Sequence, residues 1–278
     1  MKGKIYLVAT PIGNLEDITI RAINILKKVD IIAAEDTRHT LGLLNHFNIS
    51  KPLISYYKEV ELKKSNFLIE KLLDGMNIAV VSDAGTPAIS DPGEEIVKKA
   101  IENDIEIIPI PGACAFINAL ISSGLSTREF IYLGFLPFQK KLKKEKLEEI
   151  KYDKKTIILY EAPHKLLDTL KCIYDILGDR KIVLARELTK IHEEFIRGSV
   201  SHIINKLTDI KGEYVVIIEG NNVSKSENEI INLNKCSLED HYLFYKEKGL
   251  TKKDIIKKIA KDRCVSHNEI YQYFLKYW

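Results

Sequence analysis

Ile78-Ala79-Val80-Val81-Ser82-Asp83-Ala84-Gly85-Thr86-Pro87 decides the fold class, because a short apolar run stops abruptly at small, acidic and turn-forming residues. A run with no polar alternation reads as a strand buried on both faces. Glycine and alanine after it let a ligand approach the backbone closely, and Asp83 offers acceptors for hydroxyl or amino groups. Downstream, Asp91-Pro92-Gly93-Glu94 predicts an N-cap, a proline at the first helical position and a capping-box glutamate, opening a helix through about Glu102. That turn-and-helix pattern accounts for Asp91-Pro92-Gly93 but leaves Asp83 to Pro87 unexplained, which favours ligand contact there.

The same unit repeats on both sides. Residues 4–9 (KIYLVA), Ile31 to Ala34, Leu53 to Tyr56 and Ile105 to Ile110 read as strands, with helices implied by the spacing of Ile18, Ala22, Ile25, Leu26 and Val29 and across residues 62–74. Alternating strands and amphipathic helices predict a largely parallel sheet covered on both faces, whose ligands sit beyond the carboxyl ends of the strands. The unusual loops all fall at those ends: Thr10 to Asn14, Glu35 to Arg38, Ser82 to Pro87 and Pro111 to Ala115.

From about Phe130 a second α/β unit is predicted: strands at 130–135, 156–160, 181–185, near Phe195 and at 214–218, with helices after Pro163 and at 200–207. Residues 223–235 read as a polar linker. Beyond it, three short helices are expected, the last two opened by the capping boxes Thr251-Lys252-Lys253-Asp254 and Ser266-His267-Asn268-Glu269, a helix-turn-helix-like arrangement. The implied domains are 1–120, 121–222, the linker, and a basic module over 236–278.

With 278 residues, 45% hydrophobic and 29% charged, the chain has the balance of a globular protein. The net charge of +3 is uneven: residues 236–278 hold nine Lys/Arg against six Asp/Glu, and residues 140–155 hold eight Lys against four acids. Clustered lysines attract phosphates, although the second run is equally consistent with a solvated helix face. No stretch reaches the roughly 18 apolar residues of a membrane span, and the first apolar run breaks at Thr10-Pro11 before signal-peptide length, so a cytoplasmic protein without membrane contact is expected. Cys114, Cys172, Cys236 and Cys264 form no CxxC pair, and the histidines have no ligand spacing, so no metal is expected.

Glu35-Asp36-Thr37-Arg38 and Arg186-Glu187-Leu188-Thr189-Lys190 place charges at the ends of buried strands, where they need partners. A salt-bridge network and a grip on substrate are both consistent with that.

Six strings in series, Val8 to Leu15, Ala34 to Arg38, Ser82 to Pro87, Gly134 to Pro137, Tyr160-Glu161-Ala162-Pro163-His164 and Ala185 to Lys190, closely resemble the ribosomal RNA small subunit methyltransferase I family of the tetrapyrrole methylase superfamily. The likeness spans about residues 4–220, and the tail resembles the helical module some members carry. It implies a two-lobed α/β fold of tetrapyrrole-methylase type, with a parallel-sheet N-lobe, a mixed-sheet C-lobe and a small helical C-terminal module. It implies a homodimer and 2'-O-methylation of a cytidine in the decoding region of 16S rRNA, within the small ribosomal subunit, by S-adenosylmethionine. Carried over by motif, Pro11, Asp83, Gly85, Thr86, Cys114, Ala115 and Tyr160 are the expected cofactor contacts. The expected catalytic set, from strand-end motifs facing the cleft, is Glu35, Arg38, Glu161, His164, Arg186 and Glu187. Lys165 stands where the family usually has arginine, which keeps the charge and loses the bidentate fork; Ala113 and Cys114 also depart from the usual turn. Two other readings stay open: a methyltransferase of this fold acting on a tetrapyrrole or a protein side chain, and a non-enzymatic ligand sensor that binds nucleic acid.

Overall fold

The computed structural model describes residues 1–221, 233–234 and 236–277. The expected linker, apart from Leu233 and Asn234, therefore lies outside the described residues.

Five strands, β1 (Ile5–Val8), β2 (Ile31–Ala34), β3 (Leu53–Ser55), β4 (Ile78–Val81) and β5 (Ile107–Ile110), form a sheet in the order β3-β2-β4-β1-β5. Every pairing is parallel. Parallel neighbours need crossovers, and the helices α1 (Ile20–Lys28), α2 (Thr37–His46), α3 (Glu61–Leu73) and α4 (Glu94–Glu102) supply them. Side chains alternate along each strand, so Val8, Ile32, Ala34 and Val81 pack with Ala22, Leu26 and Leu44 on one face, while Ile5, Ala33, Ile78 and Val80 pack with Leu68, Leu72 and Ile96 on the other.

The second sheet contains β6 (Phe130–Phe135), β7 (Thr156–Glu161), β8 (Lys181–Arg186), β9 (Glu194–Ser199) and β10 (Tyr214–Ile218), in the order β6-β7-β10-β8-β9. Only β6 and β7 pair in parallel; β10 runs antiparallel to β7 and β8, as β9 does to β8. One face is covered by α6 (Lys140–Glu149), α7 (Pro163–Leu177) and α8 (Val200–Lys206) through Leu147, Leu166, Leu170, Val200 and Ile203. The other is covered by α5 (Ala115–Ser123) through Ala119 and Leu120, with Ile12 from the first lobe joining the same cluster. Residues Met1–Lys151 and Lys155–Gly220 thus make one compact unit. The expected division between residues 120 and 121 falls inside α5.

Two helices went unread from the sequence, α2 and α5, and a third, α6, was read only as one of two alternatives. The lysine-rich connection is α6, and Lys143 on it is buried, donating to Thr169 Oγ1 (3.0 Å) and Asp168 Oδ2 (3.1 Å). Lys141, Lys146 and Lys151 pair with Glu145, Glu149 and Glu148. At least half of this run is therefore engaged with its own neighbourhood.

The start of α4 also differs from expectation. The helix begins at Glu94, and its N-cap residue is Gly93 (φ 146°), with no side-chain cap of its own. Glu61 on α3 takes that role instead, its Oε1 accepting from the N–H groups of Gly93 (2.8 Å) and Glu95 (3.2 Å). A carboxylate at a helix start satisfies orphan donors and complements the dipole, and a remote residue serves as well as a local one. Asp91 is thereby free of capping.

The remaining unit comprises Tyr152–Lys154 and the described residues from Asn221 onward. Its helices α9 (Leu238–Glu247), α10 (Lys252–Asp262) and α11 (His267–Tyr277) enclose Tyr242, Tyr245, Ile255, Ile259, Ile270 and Phe274. Thr251 and Ser266 accept from the Asp254 and Glu269 amides, as their capping boxes predict. Lys252, Lys253, Lys257 and Lys261 are exposed and Lys258 is half-buried, and none of the five forms an ion pair among the described residues. No described helix is long and apolar enough to cross a membrane.

Candidate functional site

The loops after β1, β4 and β5 are fastened to one another at the carboxyl rim of the parallel sheet. Thr10 and Gly85 exchange backbone hydrogen bonds (2.8 and 3.1 Å), an isolated antiparallel bridge between the β1 and β4 loops. Gly85 holds φ 88°, which a residue with a Cβ adopts only under strain. Thr86 Oγ1 then donates to the Ala113 carbonyl (3.0 Å), tying in the β5 loop. The β1 loop also touches the second lobe: a Cβ on Gly13 would stand 2.5 Å from Lys190 Cγ, so only glycine permits that approach.

Between these loops and the rim of the second sheet lies a cavity of about 580 Å³. From the first lobe it receives Ile12, Glu35, Asp83 to Thr86, Ile89 to Asp91, Cys114 and Ala115; from the second, Phe135, Tyr160 to His164, Ala185, Leu188 and Glu213 to Val215. One wall is aromatic. Tyr160 packs edge-on to Tyr132 (5.3 Å) and Phe135 (5.6 Å), and Tyr132 stacks on Phe116 (4.4 Å). Tyr160 Oη accepts from the Phe116 amide (3.2 Å), and burial pushes its hydroxyl well above the usual range, keeping it neutral.

The polar side of the cavity is anionic. Glu35, Asp83, Asp91, Glu161 and Glu213 all line it, and among the described residues no lysine or arginine does, in a chain with 42 Lys and Arg. Asp83 Oδ1 accepts from the Asp36 amide (2.8 Å), which binds the β2 and β4 ends together. Burial raises Glu35 above the ordinary carboxyl range, and Asp83 adds like-charge repulsion. Asp91 is pushed to about 7 by burial and by the nearby Glu35 and Asp83, against a stabilising hydrogen bond from Ser82. Glu161 accepts from the Ala162 amide (2.9 Å) and from the Thr169 hydroxyl, which itself accepts from the buried Lys143.

The segment before α4 forms part of the enclosure. Ala88 (φ 66°) and Ser90 (φ 64°) both adopt left-handed backbone, at about 1–2 kcal/mol each. Ser90 Oγ and Tyr132 Oη share a 2.7 Å hydrogen bond that joins this segment to the second lobe.

Nine of the thirteen residues expected from motifs line the cavity: Glu35, Asp83, Gly85, Thr86, Cys114, Ala115, Tyr160, Glu161 and His164. The structure does not bring Pro11, Arg38, Arg186 or Glu187 to its wall. Arg38 is 88% exposed, pairing with Asp36 (2.7 Å), and its guanidinium holds the Asp36 carboxyl far below the usual range. Arg186 is largely buried and lies 3.6 Å from Glu194. Glu187 accepts from the Glu213 amide (2.9 Å) and from Lys190 Nζ (3.0 Å), and these donors hold its carboxyl low. Sequence reasoning missed Asp91, Ser90, Phe135 and Tyr132. The first was masked by a capping pattern that Glu61 fulfils from elsewhere; Phe135 lay within the Gly134 to Pro137 string but was given no role, and Tyr132 carried no local signal.

Comparison with known proteins adds to this geometry. Residues 4–204 match the model of the Tetrapyrrole (Corrin/Porphyrin) Methylases. The chain is 50% identical to ribosomal RNA small subunit methyltransferase I of Halalkalibacterium halodurans over 98% of its own length and 95% of that protein's. It is 48% identical to the Bacillus subtilis protein of the same name, over 97% and 93%. Among solved structures it resembles uroporphyrin III C-methyl transferase from Thermus thermophilus (TM-score 0.58, 16% identity, 78% of this chain and 97% of that one). A similar likeness holds for the methyltransferase CobJ (TM-score 0.60, 14% identity, 80% and 96%).

Proposed function

This chain belongs to the tetrapyrrole methylase family, within the group named ribosomal RNA small subunit methyltransferase I, and on that premise we propose that it methylates 16S rRNA with S-adenosylmethionine as donor. The target in this reading is the 2'-hydroxyl of a cytidine in the decoding region, presented by the small ribosomal subunit to a homodimer in the cytoplasm.

The observation that carries the cofactor assignment is a lining that holds five carboxylates and, among the described residues, no lysine or arginine, beside an aromatic wall. A pocket for a phosphate-bearing cofactor needs donors and positive charge. This one offers the reverse, which suits a ligand with a sulfonium, an ammonium and an adenosine. When bound, S-adenosylmethionine supplies a methyl group already activated by the sulfonium charge. The chain's residues then have three tasks: to hold the cofactor, to align the ribose oxygen, and to exclude water. Asp83, Gly85, Thr86, Cys114, Ala115 and Tyr160 are placed for the first, with Pro11 supporting the bridged loop from outside the wall. Glu35, Glu161 and His164 stand at the cavity for proton handling at the ribose hydroxyl. Arg38, Arg186 and Glu187 are better suited to fixing the loops or meeting RNA at the rim.

Near-full-length identity to two proteins named for the ribosomal small subunit favours RNA over the tetrapyrrole reading. The lysine face of α10 supports it, since five cations without acidic partners suit a phosphate backbone. Incubating the protein with methyl-labelled cofactor and purified small subunits, or with free 16S rRNA, tests the assignment. Label in the RNA, mapped to a ribose, is expected; label confined to protein or small molecules overturns it.

A further inference from the structure

Glu35, just after β2, and Asp83 and Asp91, near the two ends of the β4–α4 connection, share one partly open cavity. Burial and the two neighbouring acids both oppose charge on Asp91 there unless a compensating cation is present. The groups facing Asp91 offer none. Glu35 and Asp83 are acids, Ser82 contributes a hydroxyl, and Tyr132 on β6, reached through Ser90, is held neutral by burial. His164 from α7 lines the same cavity. Among the described residues no cluster of His, Cys, Asp or Glu is arranged to hold a metal ion.

Resting on the cofactor reading above, we propose that Asp91, with Glu35 and Asp83, senses ligand charge: it carries a proton in the empty and product-bound site and releases that proton when the sulfonium cofactor binds. S-adenosylmethionine has a net positive charge, whereas S-adenosylhomocysteine, formed when the methyl leaves, is neutral overall. The cavity therefore grips the cofactor electrostatically and loses that grip on the product. The proton given to solvent on binding is matched by one regained when the positive charge is gone. Asp91 acts here as a specificity-determining residue that selects donor over product.

Titration calorimetry on the full chain between pH 5.5 and 8.5 tests this, using S-adenosylmethionine, S-adenosylhomocysteine and sinefungin, whose amine replaces the sulfonium methyl. Linkage of one proton sets a ceiling of about tenfold in affinity per pH unit. Affinity for the two cationic ligands should climb at close to that slope below about 7, the value burial and its neighbours give Asp91, and level off above it. Affinity for S-adenosylhomocysteine should stay nearly flat. Repeating the titrations in two buffers of different ionisation enthalpy should show proton release with the cationic ligands alone, a result that needs no variant. Asp91→Asn should abolish the slope, and His164→Gln should preserve it. Parallel pH profiles for donor and product, a slope surviving in Asp91→Asn, or one removed by His164→Gln would each overturn the sensor while leaving the cofactor assignment intact. Absence of binding by all three ligands at every pH would overturn the cofactor assignment and the sensor together.

Discussion

Glu35 and Glu187 occupy corresponding places, each at the end of a buried strand within a charged motif, and their environments drive them in opposite directions. Glu35 faces a cavity with acids for neighbours and is raised; Glu187 is surrounded by donors and is lowered. Glu187 therefore works as a clamp, joining its own loop to residue 213 and to Lys190. The contrast teaches that a charge at a strand end is spent either on fixing loops or on a ligand, and that the local count of N–H donors decides which.

The sharpest test exchanges a cavity acid for alanine. Asp83→Ala should weaken S-adenosylmethionine binding by about 100-fold or more, since a charge-assisted hydrogen bond and the link to the Asp36 amide are both lost, about 1.5–3 kcal/mol for each such bond. Unchanged affinity by calorimetry would remove Asp83 from the site. The clamp should answer differently: Glu187→Ala should lower unfolding stability by about 1–3 kcal/mol in urea titrations, while the folded fraction keeps its cofactor affinity. If affinity fell instead and stability held, the two roles would be interchanged.

Acidity separates the two classes again. Asp91 is raised from 3.8 to about 7 on folding, so its contribution to stability is fully present below the unfolded value and is lost as pH rises through about 7. Asp91→Asn should consequently melt higher than the parent at pH 8, with the gap closing toward pH 5. Glu187 is lowered, so its contribution is present above the ordinary glutamate value near 4.5 and is lost as pH falls below it. Its alanine variant should show a shallower acid-side decline in melting temperature than the parent.

The smallest effect extends the contrast to lysines. Those on and just after α6 are partly internal, with Lys143 buried and Lys141, Lys146 and Lys151 paired, whereas those of α10 form no ion pair among the described residues. Neutralising Lys252, Lys253, Lys257 and Lys258 should weaken RNA binding and flatten its salt dependence by up to about four charges' worth of slope. The corresponding change at Lys141, Lys146 and Lys151 should barely alter that slope. Equal effects from both sets would show that pairing does not govern RNA contact.

Much of this molecule was legible in advance where the information is local. Apolar runs such as Ile78 to Val81 mark buried strands whatever surrounds them, and caps such as Thr251 and Ser266 act within a single turn, so strand order along the chain and the tail helices follow from short stretches. The helices α2 and α5 were harder, since Leu41, Ile117 and Ile121 are exposed and blur the amphipathic spacing.

By itself, then, the sequence determined the α/β alternation, the rim that carries the cavity-lining loops and, through six motifs in series, the family. Only the tertiary structure decided which charged residues meet there. Asp91 became a cavity acid because Glu61, 30 residues earlier, caps α4 in its place, and Glu187 became a clamp because the turn before β10 brings an amide to it. Ionisation and hydrogen bonding depend on neighbours a few ångströms away in space, and distance along the chain does not encode them.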